Sequence, residues 1–290
     1  MGIEPELPSH PQPLASATQL PMLNILVVED NLTNQKVIMR QLQFCGYHPD
    51  AVATGQAALD AIVQRCYDIV FMDCCLPEMN GYTATRLIRQ REQQLNRNRS
   101  IIIALTASDD PRIKEEAIAA GMNDFLTKPL RREVLAATLN RWNQYLRQTS
   151  SSAQSLMAVN EEQPMFPDYR SALWELHFDL IQLHQLSDHN PEFEQELLQL
   201  YHADTQDQLQ QLQQAHSKLN FQHIERIAHH IKGASASVGA KMLTEIAEQL
   251  EHHAKQQQLD QVDHSMQQLN QAFNQLQALF SSSDQSIFNN

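Results

Sequence analysis

Asn24-Ile25-Leu26-Val27-Val28-Glu29-Asp30-Asn31 joins a short apolar run directly to two carboxylates, and Asp68-Ile69-Val70-Phe71-Met72-Asp73 repeats the arrangement further on. Apolar runs of this length, bounded by polar residues, suit strands buried on both faces. Working outward, the pattern predicts a helix near Thr33–Phe44, a short strand near Asp50–Ala53, and helices over Gln56–Gln64 and Ala84–Arg91. A strand over Ile101–Leu105, a helix over Pro111–Ala120, a strand over Asp124–Thr127 and a helix over Arg132–Gln144 follow. Strand and helix thus alternate from Leu23 to about Arg147. Alternation requires right-handed crossovers, so the expected fold is an α/β doubly wound, five-stranded parallel sheet covered by helices on both faces. Ligands of such sheets bind at the carboxyl ends of the strands.

The second half has a different period. Helices are expected over Arg170–Gln185, Pro191–Leu219, Phe221–Val238, Lys241–Gln257 and Asp260–Phe280, with Asn220 and Gly239 near the breaks. Long helices joined by short loops predict an all-α four-helix bundle with one accessory N-terminal helix. The Gln-rich tract Gln206–Gln214 keeps Leu198, Tyr201, Leu209, Leu212 and Leu219 in a helical period, which makes it a solvated helix face. The expected organisation is a Pro-rich disordered segment 1–21, a first domain 22–147, a flexible linker 148–168, a second domain 169–282 and a disordered tail 283–290.

Charge narrows the partners. Of a net charge of −13, nearly all lies beyond residue 148, where 6 Lys+Arg face 18 Asp+Glu. Such a surface repels nucleic-acid phosphates and anionic lipid, so no nucleic acid is expected and proteins are the expected partners. The N-terminus lacks a basic segment followed by an apolar one, and the longest apolar run, Ile101 to Leu105, is far too short to span a bilayer. No direct membrane insertion is expected. Cys45, Cys66, Cys74 and Cys75 have neither disulfide nor zinc spacing, which fits a reducing, cytoplasmic setting, with Cys74 and Cys75 as small fillers after a buried strand. The seven glycines form neither GxGxxG nor GxxxxGK, so no ATP-binding loop is expected.

Glu29 and Asp30, Asp73, Thr106 and Lys128 all fall at carboxyl ends of predicted strands. Clustered carboxylates beside one lysine suit a hard cation next to a phosphate. With Val27-Val28-Glu29-Asp30-Asn31, Phe71-Met72-Asp73, Leu76-Pro77-Glu78-Met79-Asn80-Gly81, Ala104-Leu105-Thr106-Ala107 and Thr127-Lys128-Pro129, this half closely resembles the response-regulator receiver family, whose fold is flavodoxin-like. The resemblance implies that Asp73 is the phosphoacceptor, forming 4-aspartylphosphate. It also implies that Asp30, Asp73 and the backbone carbonyl of Cys75 hold Mg2+, with Glu29 acting through water. Lys128 would pair with the phosphoryl oxygens, and Thr106 would bond one of them and shift as Phe125 swings inward, giving a two-state switch. Leu76 replaces a frequent Met, a change of similar volume. Asn31 reads as a helix cap.

In Ile227-Ala228-His229-His230-Ile231-Lys232-Gly233-Ala234-Ser235-Ala236-Ser237-Val238-Gly239-Ala240, the residues Ile224, Ile227, Ala228 and Ile231 form one buried stripe, from which His229 points away. Gly233 and Ala236 share its face, leaving room for another protein's active site to approach, and Lys232 lies one turn on. His230 reads as a flanking residue. Eleven of the 13 histidines lie in this half, but the adjacent pairs His229/His230 and His252/His253 face different directions, so no metal chelate is expected. From about Glu192 to Leu279 the segment resembles histidine phosphotransfer (HPt) domains, which implies that His229 carries phosphohistidine, supported by Lys232 and Gly233. Together the halves resemble the C-terminal part of a hybrid sensor histidine kinase. That implies a phosphocarrier without an ATP-binding kinase domain, a phosphorelay intermediate between an upstream sensor histidine kinase and the receiver domain of a downstream response regulator. The alternatives are a phosphorylation-gated binding module and a phosphate drain without forward relay.

Overall fold

The computed structural model describes residues 23–107, 111–148 and 177–281. The expected segments 1–21 and 283–290, and nearly all of 148–168, lie outside the described residues, as does the expected helix start at Arg170. In the first half, β1 (Ile25–Val28), β2 (Asp50–Val52), β3 (Ile69–Asp73), β4 (Ile101–Thr106) and β5 (Asp124–Thr127) alternate with five helices. These are α1 (Leu32–Phe44), α2 (Gly55–Gln64), α3 (Gly81–Gln94), α4 (Pro111–Ala120) and α5 (Arg132–Gln148). All strand pairs are parallel, in the order β2-β1-β3-β4-β5. The order reverses between β1 and β3, so their carboxyl ends open a crevice.

The strands β1, β3 and β4 are buried throughout because both sheet faces are covered. Ile38, Leu42, Leu135 and Leu139 pack on one face, and Ala58, Ile62, Ala84, Ile88 and Ala117 on the other. Short polar side chains set the helix starts: Asn31, Thr54 and Asn80 accept from the backbone N–H groups of Asn34, Ala57 and Thr83. Helix α3 begins at Gly81, well before the expected Ala84. A Cβ there would lie 2.1 Å from the Asp73 carbonyl oxygen, so only glycine permits this approach to the end of β3.

The second half contains α6 (Leu180–Ser187), α7 (Pro191–Ser217), α8 (Phe221–Val238), α9 (Lys241–Lys255) and α10 (Leu259–Ser281). Helix α8 packs between α7 and α9. Its stripe Ile224, Ile227, Ala228 and Ile231 is at most 2% exposed, as the period required. Asn220 caps its start by accepting from His223 N–H, and Gly239 ends it at φ 77°, where a side chain would be strained. Leu219 departs from expectation: it lies beyond α7 at φ 49° and is 56% exposed, because the chain turns at Lys218 before Leu219 can join the apolar face.

Candidate functional site

The acidic pocket assembles as its residue types suggested. Glu29 and Asp30 follow β1, Asp73 ends β3, Thr106 ends β4, and Lys128 follows β5. Lys128 Nζ lies 2.6 Å from Glu29 Oε2 and 2.8 Å from Asp73 Oδ2, while the Cys75 N–H donates to Asp73 Oδ1 at 3.1 Å. Asn34 Nδ2 donates to Glu29 Oε1 at 3.1 Å. Thr106 is buried, and its carbonyl accepts from the Lys128 N–H at 2.7 Å, which fixes the root of the lysine. Phe125 is half-buried against the Met72 side of the sheet, with Lys114 Nζ 4.2 Å from its ring centroid.

The pocket holds surplus negative charge. One oxygen from each of Glu29, Asp30 and Asp73 lies within 4.8 Å of the others, and the lysine supplies one positive charge against three carboxylates. Burial, aided by Asp73, pushes the Glu29 carboxyl up to about 7 against Lys128 and Asn34. Burial and Asp73 likewise raise Asp30. Burial opposes the charge on Lys128, yet Asp73 and Glu29 hold it firmly protonated. An all-oxygen cluster that one ammonium leaves unbalanced fits a hard divalent cation. Among the described residues it is the one cluster suited to a metal ion, and no histidine belongs to it.

The helix that carries His229 lies beside this pocket, with the His229 side chain near Cys75 and the adjacent His230 near Asp30. His229 Nδ1 is 2.9 Å from Glu251 Oε1, and Glu251 Oε2 is 2.5 Å from Lys232 Nζ. Burial would raise the Glu251 carboxyl, but His229 and Lys232 hold it down to about 2. An ionised Glu251 can only accept, so Nδ1 carries the proton and Nε2 is the nitrogen left free of Glu251. Burial disfavours a charged His229, yet hydrogen bonds with Cys75 and Glu251 outweigh it and raise its pKa. The Cys75 contact joins the halves: the imidazole meets the side chain two residues beyond Asp73. Cys74 behaves as the small filler expected, buried and with its thiol pushed up to about 12, whereas Cys75 is exposed and turned to His229.

His230 is bonded differently, although Asp30 feels its charge. Its Nε2 lies 3.0 Å from Asp204 Oδ2, and its backbone carbonyl accepts from Asn31 Nδ2 at 3.3 Å. Asn31 is therefore both the cap of α1 and a contact to the bundle. Gly233 and Ala236 are partly exposed, as the helix period placed them, but the group that approaches Gly233 belongs to this chain: a Cβ there would stand 3.3 Å from Asn34 Nδ2. Two features escaped sequence reasoning, the Glu251 tie to His229 and the Cys75 side-chain contact. The first could have been sought as an acidic residue on the helix facing Lys232.

Comparison with known proteins agrees with this division. Residues 25–140 match the response regulator receiver domain family and residues 196–279 the Hpt domain family. The virulence sensor protein BvgS of Bordetella bronchiseptica is 30% identical over 239 residues, covering 81% of this chain and 18% of that protein. Hybrid signal transduction histidine kinase C of Dictyostelium discoideum is 39% identical over 121 residues, 41% of this chain and 10% of the relative. The chain thus spans less than a fifth of either relative. The receiver domain of sensor histidine kinase PA1611 of Pseudomonas aeruginosa, solved with a magnesium ion in its active-site cleft, shares 43% identity over 42% of this chain and 98% of its own, with a TM-score of 0.39. No helix among the described residues is long and apolar enough to cross a membrane. The chain therefore contains a response regulator receiver domain over residues 25–140, followed by an Hpt domain over residues 196–279.

Proposed function

We propose that this chain is a phosphorelay intermediate of two-component signalling, in which Asp73 accepts a phosphoryl group from an upstream sensor histidine kinase and His229 carries it toward a downstream response regulator. The observation that carries the reading is the seating of the His229 helix against the rim of the acidic pocket, where Asn34 bonds both Glu29 and Ser237 and Asn31 bonds the His230 carbonyl. Magnesium held by Glu29, Asp30, Asp73 and the Cys75 carbonyl would offset charge on the phosphoryl oxygens. Lys128, already bridging Asp73 and Glu29, would pair with one of those oxygens, and Thr106 would bond another as Phe125 moves inward.

The transfer balances without a co-reactant. Because its pKa is raised, His229 must first give up its Nε2 proton to solvent; the freed Nε2 lone pair then forms the N–P bond as the P–O bond to Asp73 breaks, returning the carboxylate. The imidazolium that results keeps its Nδ1 proton on Glu251, whose carboxylate offsets the new charge. Lys232 holds Glu251 in place through its other oxygen. The chain supplies no nucleotide chemistry in this scheme and acts as a phosphocarrier.

The test is label transfer from a purified cognate kinase to the full chain. Wild type should show both an acyl phosphate and an acid-labile, base-stable phosphate. Asp73→Asn should show neither, and His229→Gln only the first. Base-stable label that survives in His229→Gln would contradict the assignment.

A further inference from the structure

We propose that the His229 face of α8 is occupied by this chain's own receiver domain, and that a second receiver reaches His229 only after helix α1 releases it. The inference rests on the relay reading above and names the first partner of that site. Helix α1 serves two cores at once. Ile38 and Leu42 pack on the receiver sheet, while the adjacent Val37, 2% exposed, joins the apolar cluster of the helical bundle.

The polar contacts surround the site itself. Asn34 links the acidic pocket to the bundle: its Nδ2 donates to Glu29 Oε1 at 3.1 Å and its Oδ1 accepts from Ser237 Oγ at 2.6 Å. Asn34 also lies against Gly233, one turn beyond His229. Asn31 bonds the His230 carbonyl, and Gln41 Nε2 donates to the Leu186 carbonyl at 3.1 Å. Charge is complementary, since basic groups of α1 meet the acidic bundle: Lys36 pairs with Glu196, and Arg40 lies 5.0 Å from the Phe193 ring centroid. With Cys75 and Asn34 both seated against the His229 face, a second receiver's carboxylate pocket cannot enter the same space.

The arrangement is strong enough to compete and weak enough to open. Val37, a few hydrogen bonds and two ion pairs hold it, and both pairs, Lys36–Glu196 and Arg132–Asp188, are largely exposed on the acidic side. Covalent connection favours the own receiver, because modules joined by short linkers meet at effective concentrations on the order of millimolar.

Full-length chains loaded with labelled acetyl phosphate and Mg2+ provide the test. In wild type, the rate of phosphohistidine formation should stay constant over a hundred-fold range of protein concentration. A mixture of His229→Gln donor and Asp73→Asn acceptor chains, each self-docked, should transfer about a thousand-fold more slowly at micromolar concentration. Adding Glu196→Lys to the donor and Lys36→Glu to the acceptor sets like charges against each other within each chain, yet leaves Lys36 of the donor facing Glu196 of the acceptor. That mixture should speed up by about three-fold or more, a gain no folding defect would produce. Wild-type transfer that rises in proportion to concentration, or a simple mixture as fast as wild type, would overturn self-docking. Label that never leaves Asp73 in any combination would instead remove the relay reading.

Discussion

The two halves build their candidate sites in opposite ways. The receiver gathers Glu29, Asp30, Asp73, Thr106 and Lys128 from the ends of four strands, so its chemistry exists only when the sheet is in register. The Hpt domain sets His229 and Lys232 on a single helix and needs one residue from elsewhere, Glu251 on α9. The receiver site is buried and electrostatically crowded, with Glu29 fully enclosed, while His229 remains a quarter exposed. On the proposed reading, a pocket that would hold a metal and a phosphoryl group benefits from enclosure, and a carrier that would enter other pockets needs part of its surface open.

The largest effects should separate the halves completely. Asp73→Asn should abolish the acetyl-phosphate adduct seen by intact-mass measurement, while His229→Gln leaves Asp73 loading unchanged and stops only the onward step. His230→Gln should largely spare transfer, because its imidazole is turned to Asp204. Equal losses in His229→Gln and His230→Gln would break the comparison, since the helix would then no longer be a one-histidine site.

Crowding in the receiver should register as stability. Lys128→Ala leaves the buried Glu29 and Asp73 carboxylates without their shared cation, and denaturant unfolding should show a loss of about 3–5 kcal/mol. A loss below about 1 kcal/mol would mean that the pocket tolerates its own charge without the lysine.

In the Hpt domain, function and stability should move apart. Gly233→Leu should improve helix propensity by about 1 kcal/mol yet slow phosphohistidine formation, because a side chain there meets Asn34. Transfer at the wild-type rate would show that the receiver does not approach along that face.

The smallest effect concerns pH. Glu251 is depressed from 4.5 to about 2 in the folded chain, so its contribution to stability is present above about pH 4.5 and is lost as pH falls toward 2. Thermal unfolding of wild type and Glu251→Gln should therefore differ at pH 6, draw together below about pH 4.5 and converge only near pH 2. A gap that stays constant across that range would place the Glu251 contribution in packing.

Legibility followed the same division. The receiver site could be read because a strand's end is visible in the sequence as the point where an apolar run meets a carboxylate, and the sheet then brings those ends together. His229 could be read because helical spacing alone separates it from His230. Contacts between elements were hidden. Val37 and Ile38 are adjacent apolar residues on one helix, and no period indicates that they enter different cores. Lys36 and Arg40 look like the solvated face of any amphipathic helix until the bundle lies against them. Glu251 is one of many acids in an acidic half, and only the packing of α8 on α9 selects it. Cys75 was read as a filler like Cys74, because burial in a loop depends on which side chain the turn after β3 points outward.

The central claim is that one chain holds two successive phosphate carriers, Asp73 and then His229. Phosphorus-31 NMR of the full chain after a pulse of acetyl phosphate with Mg2+, followed by mapping of the modified residue by tandem mass spectrometry, tests it most directly. An acyl-phosphate signal that decays as a phosphohistidine signal on His229 grows is the predicted result. An acyl phosphate that decays only to inorganic phosphate, with His229 unmodified throughout, would contradict it.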